Sequence, residues 1–225
     1  KNAVTAHYYD AWGLYRLGNW RDASDTFADL ARKNPRSRHA AEALFRSGEA
    51  VFNLAQGLTM DRKVPIFEEA MGRYESVLKG YSRSDYADDA LYNKAWALIH
   101  LGRKTDAVPV FEQIVSDYPD GRYGGRSQYT LGDYYYGEKA YDLATENYEK
   151  FLAMYPEDRL IKEDRSLRRK AAVLLGHLSE IDAYNIYAEG EKLFDREDYD
   201  GAIAIFKEVQ QKYPKIQPFR LLTAE

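Results

Sequence analysis

Apolar residues recur along most of the chain three and four positions apart, in segments separated by short polar turns. Such spacing places the apolar side chains on one face of an α-helix. The turns read LGNW at 17–20, LGRKT at 101–105 and GEKAY at 137–141. A glycine or a polar cluster at the end of a helical segment is typical of a left-handed cap. The pattern therefore predicts an all-α chain in which pairs of helices are joined by tight turns.

One short signature recurs in each predicted pair of helices. An alanine is followed four residues later by an aromatic residue, in the pairs Ala23 and Phe27, Ala70 and Tyr74, Ala107 and Phe111, Ala144 and Tyr148, and Ala202 and Phe206. The preceding helix carries a small residue, which is Ala11, Gly48, Ala95, Gly132 or Gly190. Eight positions after the aromatic residue stands Pro35, Ser82, Pro119, Pro156 or Pro214. We expect the small residue to let the two helices approach, the ring to fill the space beside them, and the proline to end the second helix.

The alanines of this signature lie 47, 37, 37 and 58 residues apart. We interpret this spacing as a 37-residue repeat with insertions near 57–66 and 159–182. The five repeat units lie near 4–36, 41–82, 88–119, 125–156 and 183–214. Because one helical hairpin cannot bury its apolar face alone, whereas stacked hairpins bury a continuous core, we expect a single domain over 1–225.

These residues resemble the pattern of tetratricopeptide repeat proteins. The fourth unit matches that pattern best, with Leu131, Gly132, Tyr135, Tyr141, Ala144, Tyr148 and Pro156. The first unit supplies Gly18, Trp20, Ala23, Phe27 and Pro35. The resemblance extends over the chain apart from the two insertions, although the family's usual period is about 34 residues. It implies an all-α, right-handed α-α superhelix of about five helical hairpins plus one extra helix.

The linkers between the repeats suggest a narrower resemblance. They read NPRSRHAAEALF, YSRSDYADDALY and YPDGRYGGRSQY. Linkers of this form resemble those of bacterial cell-envelope members of the family, such as the outer-membrane assembly lipoprotein of the barrel-insertion machinery and the periplasmic cell-division coordinator of the Tol-Pal system. The resemblance implies the periplasm or the periplasmic face of the outer membrane, with the cytoplasm as the alternative. We expect the chain to be a processed product or a fragment, with any lipid anchor outside it.

Each insertion carries its own expectation. Residues 57–66, GLTMDRKVPI, are expected to lengthen the loop of the second hairpin, with Met60 and Val64 docked on the neighbouring unit. Residues 159–182 have helical periodicity and predict either an additional helix or an elongated first helix of the last unit. Within them, KEDRSLRRK is either a solvated helix face or a docking patch for an acidic partner.

Nothing in the sequence indicates catalysis, a metal or a cofactor. The chain has no cysteine and none of the common catalytic or phosphate-binding motifs. The histidines, His7, His39, His100 and His177, lack the spacing of metal ligands. The carboxylate pairs at 68–69 and 88–89 are expected at exposed helix starts, where they suit the helix dipole. A net charge of -4 does not indicate a nucleic-acid partner, and no apolar stretch is long enough to span a membrane.

The resemblance also implies a groove lined by the first helix of each hairpin. Counted from one groove residue in each first helix, positions 0, 4 and 7 lie on the same face of that helix. The first row is Tyr8, Phe45, Tyr92, Tyr129 and Tyr187. The middle row is Trp12, Glu49, Trp96, Asp133 and Glu191. The third row is Tyr15, Phe52, Ile99, Tyr136 and Phe194.

An aromatic stripe with interspersed polar groups suits the capture of an extended or helical peptide. Two other interpretations stay open: the rings brace neighbouring helices, or the groove holds the protein's own terminal helix. Chaperone-binding relatives clamp a C-terminal carboxylate with Lys and Asn in this groove. Here Tyr8 and Trp12 occupy those places in the first unit, and only Asn93 and Arg126 match part of the clamp. A chaperone co-factor role is therefore not expected.

These features together predict a non-catalytic scaffold that binds a protein or peptide partner in its groove, in a bacterial cell-envelope complex. One alternative is a cytoplasmic assembly or regulatory scaffold. The other is an accessory domain of a larger enzyme whose catalytic part lies outside this chain.

Overall fold

The computed structural model describes residues 2–216, which form ten α-helices and no β-strand. The α-helices are α1 (Asn2–Arg16), α2 (Trp20–Lys33), α3 (Ala40–Gln56), α4 (Met60–Gly80), α5 (Ala87–His100), α6 (Lys104–Asp117), α7 (Gly124–Gly137), α8 (Tyr141–Met154), α9 (Arg165–Asp195) and α10 (Tyr199–Lys212). Two 3₁₀ turns, Glu157–Arg159 and Lys162–Asp164, precede α9. The chain divides into unit 1, Lys1–Leu131, and unit 2, Gly132–Glu225. From the sequence we expect residues 218–225, PFRLLTAE, to begin another helix, and this segment lies outside the described residues.

Unit 1 is built from successive helical hairpins. Helices α1 and α2, α3 and α4, and α5 and α6 pair within hairpins, while α2 packs on α3 and α4 packs on α5. The aromatic residue of the repeat signature lies at the centre of each hairpin core: Phe27 and Tyr74 are fully buried, and Phe111 is almost so. The predicted use of this ring as the core filler is therefore confirmed.

The small residue of the signature marks the closest approach within a hairpin. A Cβ atom added to Gly48 on α3 would lie 2.6 Å from a ring carbon of Tyr74 on α4. In unit 2 the corresponding distances are 2.6 Å from Gly132 to Tyr148 and 2.5 Å from Gly190 to Phe206. Real Cβ atoms do not come this close to a ring, so glycine is required at these positions for the rings to sit where they do.

Tyrosines at the ends of second helices connect neighbouring hairpins of unit 1. The Tyr81 hydroxyl donates to the backbone oxygen of Pro35 at 3.0 Å, and the Tyr118 hydroxyl donates to that of Ser82 at 3.1 Å. Each bond runs from the end of one hairpin to the linker that follows the hairpin before it. We call Tyr81 and Tyr118 the linker tyrosines.

The first insertion lengthens helices, so the prediction of a longer loop is wrong. Helix α3 continues to Gln56 and α4 begins at Met60, which leaves only residues 57–59 in the turn. Thr59 has the extended backbone angles typical of a residue that precedes a helix. Its hydroxyl donates to Oδ1 of Asp61 in the first turn of α4 at 2.5 Å. Met60 and Val64 are 58% and 41% exposed. The expected docking of these two residues on a neighbouring unit is therefore also wrong.

In unit 2, most of the second insertion, from Arg165 onwards, is part of one continuous 31-residue helix, α9. Of the two alternatives, the structure has the elongated first helix of the last hairpin. Gly190, near the end of α9, packs against α10. Arg168, in its first turn, donates from Nη1 to the backbone oxygens of Leu152 and Tyr155 at 2.8 and 2.6 Å. One basic residue of KEDRSLRRK thus caps the end of α8.

Candidate protein-binding face

The first helices of the three hairpins of unit 1 contact one another through polar and aromatic side chains. We call the surface that these side chains form the A-helix face. It consists of residues from α1, α3 and α5, namely Tyr8, Trp12, Tyr15, Glu42, Arg46, Glu49, Asn53, Asp89, Asn93 and Trp96.

Hydrogen bonds fix two tyrosines of α1 against α3. The Tyr8 hydroxyl donates to Oε2 of Glu42 at 2.8 Å. Asn53 donates from Nδ2 to the Tyr15 hydroxyl at 3.1 Å. Trp12 lies between the two tyrosines along α1 and makes edge contacts with both rings. The aromatic side of α1 is therefore held in place by α3.

Arg46 of α3 lies at the centre of this arrangement. It donates from Nη1 to Oε2 of Glu49 at 2.5 Å, and its Nε lies 3.7 Å from Oε1 of Glu42. Its Cζ lies 4.9 Å from the ring centroid of Trp12, within the range of a cation–π interaction. One guanidinium therefore interacts with two carboxylates and one indole ring.

Asp89 of α5 is a third carboxylate on the A-helix face, beside Glu42 and Glu49 of α3. Burial raises its pKa to about 6, with further contributions from the charges of Asp88 and Glu49, and the Arg122 guanidinium opposes the rise. The nearest distance from Arg122 Nη1 to Asp89 Oδ1 is 3.8 Å. This carboxylate therefore lies in a crowded, poorly solvated environment.

The expectation that the carboxylate pairs occupy exposed helix starts is wrong. Asp88 is 6% exposed, and Asp89 is half-buried. Glu68 and Glu69 lie inside α4, because that helix begins eight residues earlier, at Met60. Glu69 accepts two hydrogen bonds from Arg21 of α2, at 2.7 and 2.9 Å.

In unit 1, most rings of the first predicted row pack against the linkers between hairpins. Phe45, Tyr92 and Tyr129 are at most 7% exposed, and Tyr8 is half-buried. Rings from the linkers stack on them, in the pairs Tyr8 with His39, Phe45 with Tyr86, and Tyr92 with Tyr123. The sequence carries a signal for this stacking, because His39, Tyr86 and Tyr123 occupy equivalent positions just before the next first helix.

The third row packs mostly across the hairpin turns. Rings meet there in the pairs Tyr15 with Trp20, Tyr136 with Tyr141, and Phe194 with Tyr199. Phe52 instead packs against Phe67 of α4 and His100 of α5. These contacts give most of the row a bracing role within the unit that contains it.

The middle row is more accessible than the first row. Trp12, Glu49 and Trp96 are half-buried in unit 1. In unit 2, Asp133 is exposed and accepts a hydrogen bond from the buried Tyr148 hydroxyl at 2.6 Å.

The two residues of the partial clamp, Asn93 and Arg126, are both half-buried. Asn93 lies beside the Tyr74 hydroxyl, whose pKa burial raises. Glu42, Arg46, Asn53 and Asp89 were not predicted, although Glu42 and Asp89 stand three residues before the first row of their helices.

Within residues 2–216, no three His, Cys, Asp or Glu side chains come together in a way that would hold a metal ion. None of the helices in that range combines the length and apolarity needed to cross a bilayer.

Three models of the tetratricopeptide repeat family match the chain. One matches residues 11–56, the second matches 89–121 and 187–215, and the third matches 125–158. Together the matches cover more than half of the 225 residues. No curated protein sequence matches the chain.

Solved structures with a similar fold include two of MamA and one of a tetratricopeptide repeat protein from Parabacteroides merdae ATCC 43184. The MamA structure from Desulfovibrio magneticus RS-1, residue 41 to the end, has a TM-score of 0.53 and 20% identity, and covers 94% of this chain and 96% of that one. The MamA RS-1 ArsTM double mutant has a TM-score of 0.53 and 19% identity, and covers 100% and 99%. The Parabacteroides protein has a TM-score of 0.56 and 17% identity, and covers 98% and 70%.

Likeness at these identities establishes the fold, and the family models agree with it. The helical hairpins and their recurring small-residue and aromatic signature give the same result from the chain itself. The protein is a tetratricopeptide repeat protein with an all-α fold.

Proposed function

We propose that the protein is a non-catalytic scaffold that binds a partner protein or peptide on the A-helix face of unit 1. The observation that carries the proposal is the pair of half-buried indoles on that face, Trp12 and Trp96, the first of which lies against the Arg46 guanidinium. Tryptophan and arginine are enriched among the residues that dominate binding energy at protein interfaces. Trp12 lies beside Arg46, which in turn pairs with Glu42 and Glu49, so the face offers both an aromatic anchor and polar partners.

The hydrogen bonds of this face support the same proposal energetically. Binding is weakened by the entropy lost when side chains become ordered at an interface. Here Tyr8, Tyr15 and Arg46 are already held by Glu42, Asn53 and Glu49. A partner therefore meets a preorganised surface.

The test compares a double variant with a matched control. The full chain captures partners from a lysate of its source cells, mass spectrometry identifies them, and calorimetry then measures the affinity of the purified partner. We expect Trp12→Ala with Trp96→Ala to weaken binding about tenfold or more, since each anchor contributes about 1 kcal/mol or more. The control, Phe194→Ala with Tyr199→Ala, removes two exposed rings of unit 2 and should bind like the wild type.

Circular dichroism must show that the tryptophan variant keeps its helices. An unchanged affinity in a folded double variant contradicts the proposal. If the alanine variant unfolds, Trp12→Phe with Trp96→Phe keeps much of the packing and repeats the comparison.

We further propose that the scaffold belongs to a bacterial cell-envelope complex, which the resemblance of the inter-repeat linkers supports. The natural protein should then occur in the periplasmic or outer-membrane fraction of its source cells and be accessible to protease after the outer membrane is opened. Recovery in the cytoplasmic fraction would favour the alternative of a cytoplasmic scaffold.

A further inference from the structure

Three carboxylates, Glu42, Glu49 and Asp89, line the A-helix face. Glu42 and Glu49 are seven residues apart on one side of α3. Asp89 occupies on α5 the position that Glu42 occupies on α3, because each stands three residues before a first-row ring. We call these three carboxylates the acidic row. It does not continue on α7, where the equivalent residue is Arg126.

The cations of this face neutralise the row only in part. Arg46 is shared between Glu42 and Glu49. Arg122 reaches Asp89 only at 3.8 Å, and 59% of its side chain is exposed. A positively charged group from outside would therefore find carboxylate charge still available.

Burial raises the pKa of three groups around these carboxylates, and the carboxylate charges add to each rise while Arg46 opposes it. The pKa of Asp89 is raised by burial and by neighbouring carboxylates. Burial raises the pKa of Tyr86 to about 12, with the Glu42 charge adding to the rise. Burial also raises the pKa of Tyr15, and Glu49 contributes in the same direction.

Arg46 shows how a guanidinium is held on this surface, between carboxylates and over the Trp12 ring. The neighbouring helix α5 repeats part of this arrangement. Asp89 stands in the place of Glu42, but the neutral Asn93 stands in the place of Arg46. Trp96, half-buried, follows Asp89 by seven residues. Trp96 stands in the place of Glu49, so helix α5 carries a carboxylate and an indole at the two positions that flank Arg46 on α3, with a neutral residue between them.

We infer that the partner segment bound on the A-helix face is cationic, and that its lysine or arginine side chains contact the carboxylates of Glu42, Glu49 and Asp89 and the ring of Trp96. The inference rests on the proposed function and specifies its partner. Charge complementarity of this kind governs which partners bind and how fast they associate.

The experiment uses the full chain and three fluorescent synthetic peptides of equal length and apolar content. Their polar positions carry lysine and arginine, glutamine, or glutamate. Fluorescence anisotropy should show binding of the basic peptide in preference to the other two. Its affinity should fall when salt is raised from about 50 to about 300 mM, because the Debye length shortens.

Two charge-matched triple variants then locate the binding surface. Glu42→Gln with Glu49→Gln and Asp89→Asn should weaken the basic peptide about tenfold or more. Asp25→Asn with Glu68→Gln and Glu112→Gln removes the same charge from exposed positions on the second helices, and should leave the affinity within about twofold. The inference is overturned if no peptide binds, if the neutral or acidic peptide binds as well as the basic one, or if both triple variants behave alike.

Glutamine at position 42 can still accept from Tyr8, so the variant keeps that hydrogen bond. If circular dichroism nevertheless shows unfolding, the single Asp89→Asn variant makes the comparison, with Glu112→Gln as its control. If the tryptophan variant loses partner binding while the carboxylate variant binds normally, that outcome supports the proposed function and rejects the cationic partner. Partner binding that survives the loss of both tryptophans rejects the proposed function itself.

Discussion

The Arg46 guanidinium lies over the Trp12 ring at 4.9 Å while Nη1 donates to Glu49. The contact joins α1 to α3, two helices that belong to different hairpins. Only a quarter of each charged side chain is exposed. Solvent therefore screens this pair less than an ordinary surface ion pair.

We expect Arg46→Met to lower the free energy of unfolding by about 1 to 3 kcal/mol, because two half-buried carboxylates lose their shared cation. Arg46→Lys should recover part of the loss. Urea unfolding at neutral pH measures both. Arg103→Met, which removes an exposed ion pair to Asp106, is the matched control and should change stability by about 0.5 kcal/mol or less. Equal effects of the two methionine variants would contradict the central role of Arg46.

Two glycines of the second hairpin should respond in opposite directions to alanine. Gly48→Ala brings a methyl group within 2.6 Å of the Tyr74 ring, so we expect a loss of about 1 to 3 kcal/mol. Gly72→Ala meets nothing within 4 Å, and should gain about 0.5 to 1 kcal/mol from better helix propensity. Thermal unfolding of both variants measures the difference. A stabilising Gly48→Ala would show that the hairpin is not closely packed there.

The raised pKa of Asp89 predicts a pH-dependent stability. The folded chain favours the neutral carboxyl group, so the ionised form destabilises it. This cost is absent below the ordinary pKa of 3.8, develops as the pH rises, and is complete above about 6. Asp89→Asn should therefore stabilise the protein by about 1 to 3 kcal/mol at pH 7.5 and by less at pH 5. Urea unfolding at the two pH values measures the change, and a gain independent of pH would contradict the assignment.

Arg168 should stabilise the end of α8. Replacing it with methionine leaves the carbonyls of Leu152 and Tyr155 without a charged donor, and we expect a loss of about 1 to 2 kcal/mol. Hydrogen exchange in the last turn of α8 should become faster. The neighbouring Arg169 is exposed, so Arg169→Met is the control and should leave that exchange unchanged. Equal exchange in both variants would mean that Arg168 does not act as a cap.

The sequence predicts the hairpins because their small residues and rings are required by close packing, as Gly132 and Tyr148 show. The first insertion was predicted wrongly because its composition resembles a loop. The helix start at Thr59 depends on local backbone geometry, and Pro65 lies within α4. The spacing of apolar residues reveals the repeat. It does not show whether an insertion lengthens the turn of a hairpin or its two helices.

The A-helix face was predicted only in part for a geometric reason. The three predicted rows lie on one side of each first helix. Part of that side packs against the following linker, and part of it is open to solvent. Phe45 and Tyr92 lie at the contact, whereas Trp12 and Trp96 are more open. Arg46 is one position after the first row, and its role depends on neighbours brought close only by folding.

The linker tyrosines fix the linker ends of the hairpins in unit 1, whereas the turn ends are not held by these bonds. Tyr118 and Ser82 are 36 residues apart in sequence, whereas Tyr81 and Pro35 are 46 apart, yet their hydrogen bonds are nearly equal in length. The ten additional residues lengthen α3 and α4 themselves, while the turn between these helices keeps three residues. The α3–α4 hairpin therefore accommodates extra helical turns at its tip without a change in the linker bonds, and this tip is the place where we expect a foreign segment to be grafted with least effect on stacking.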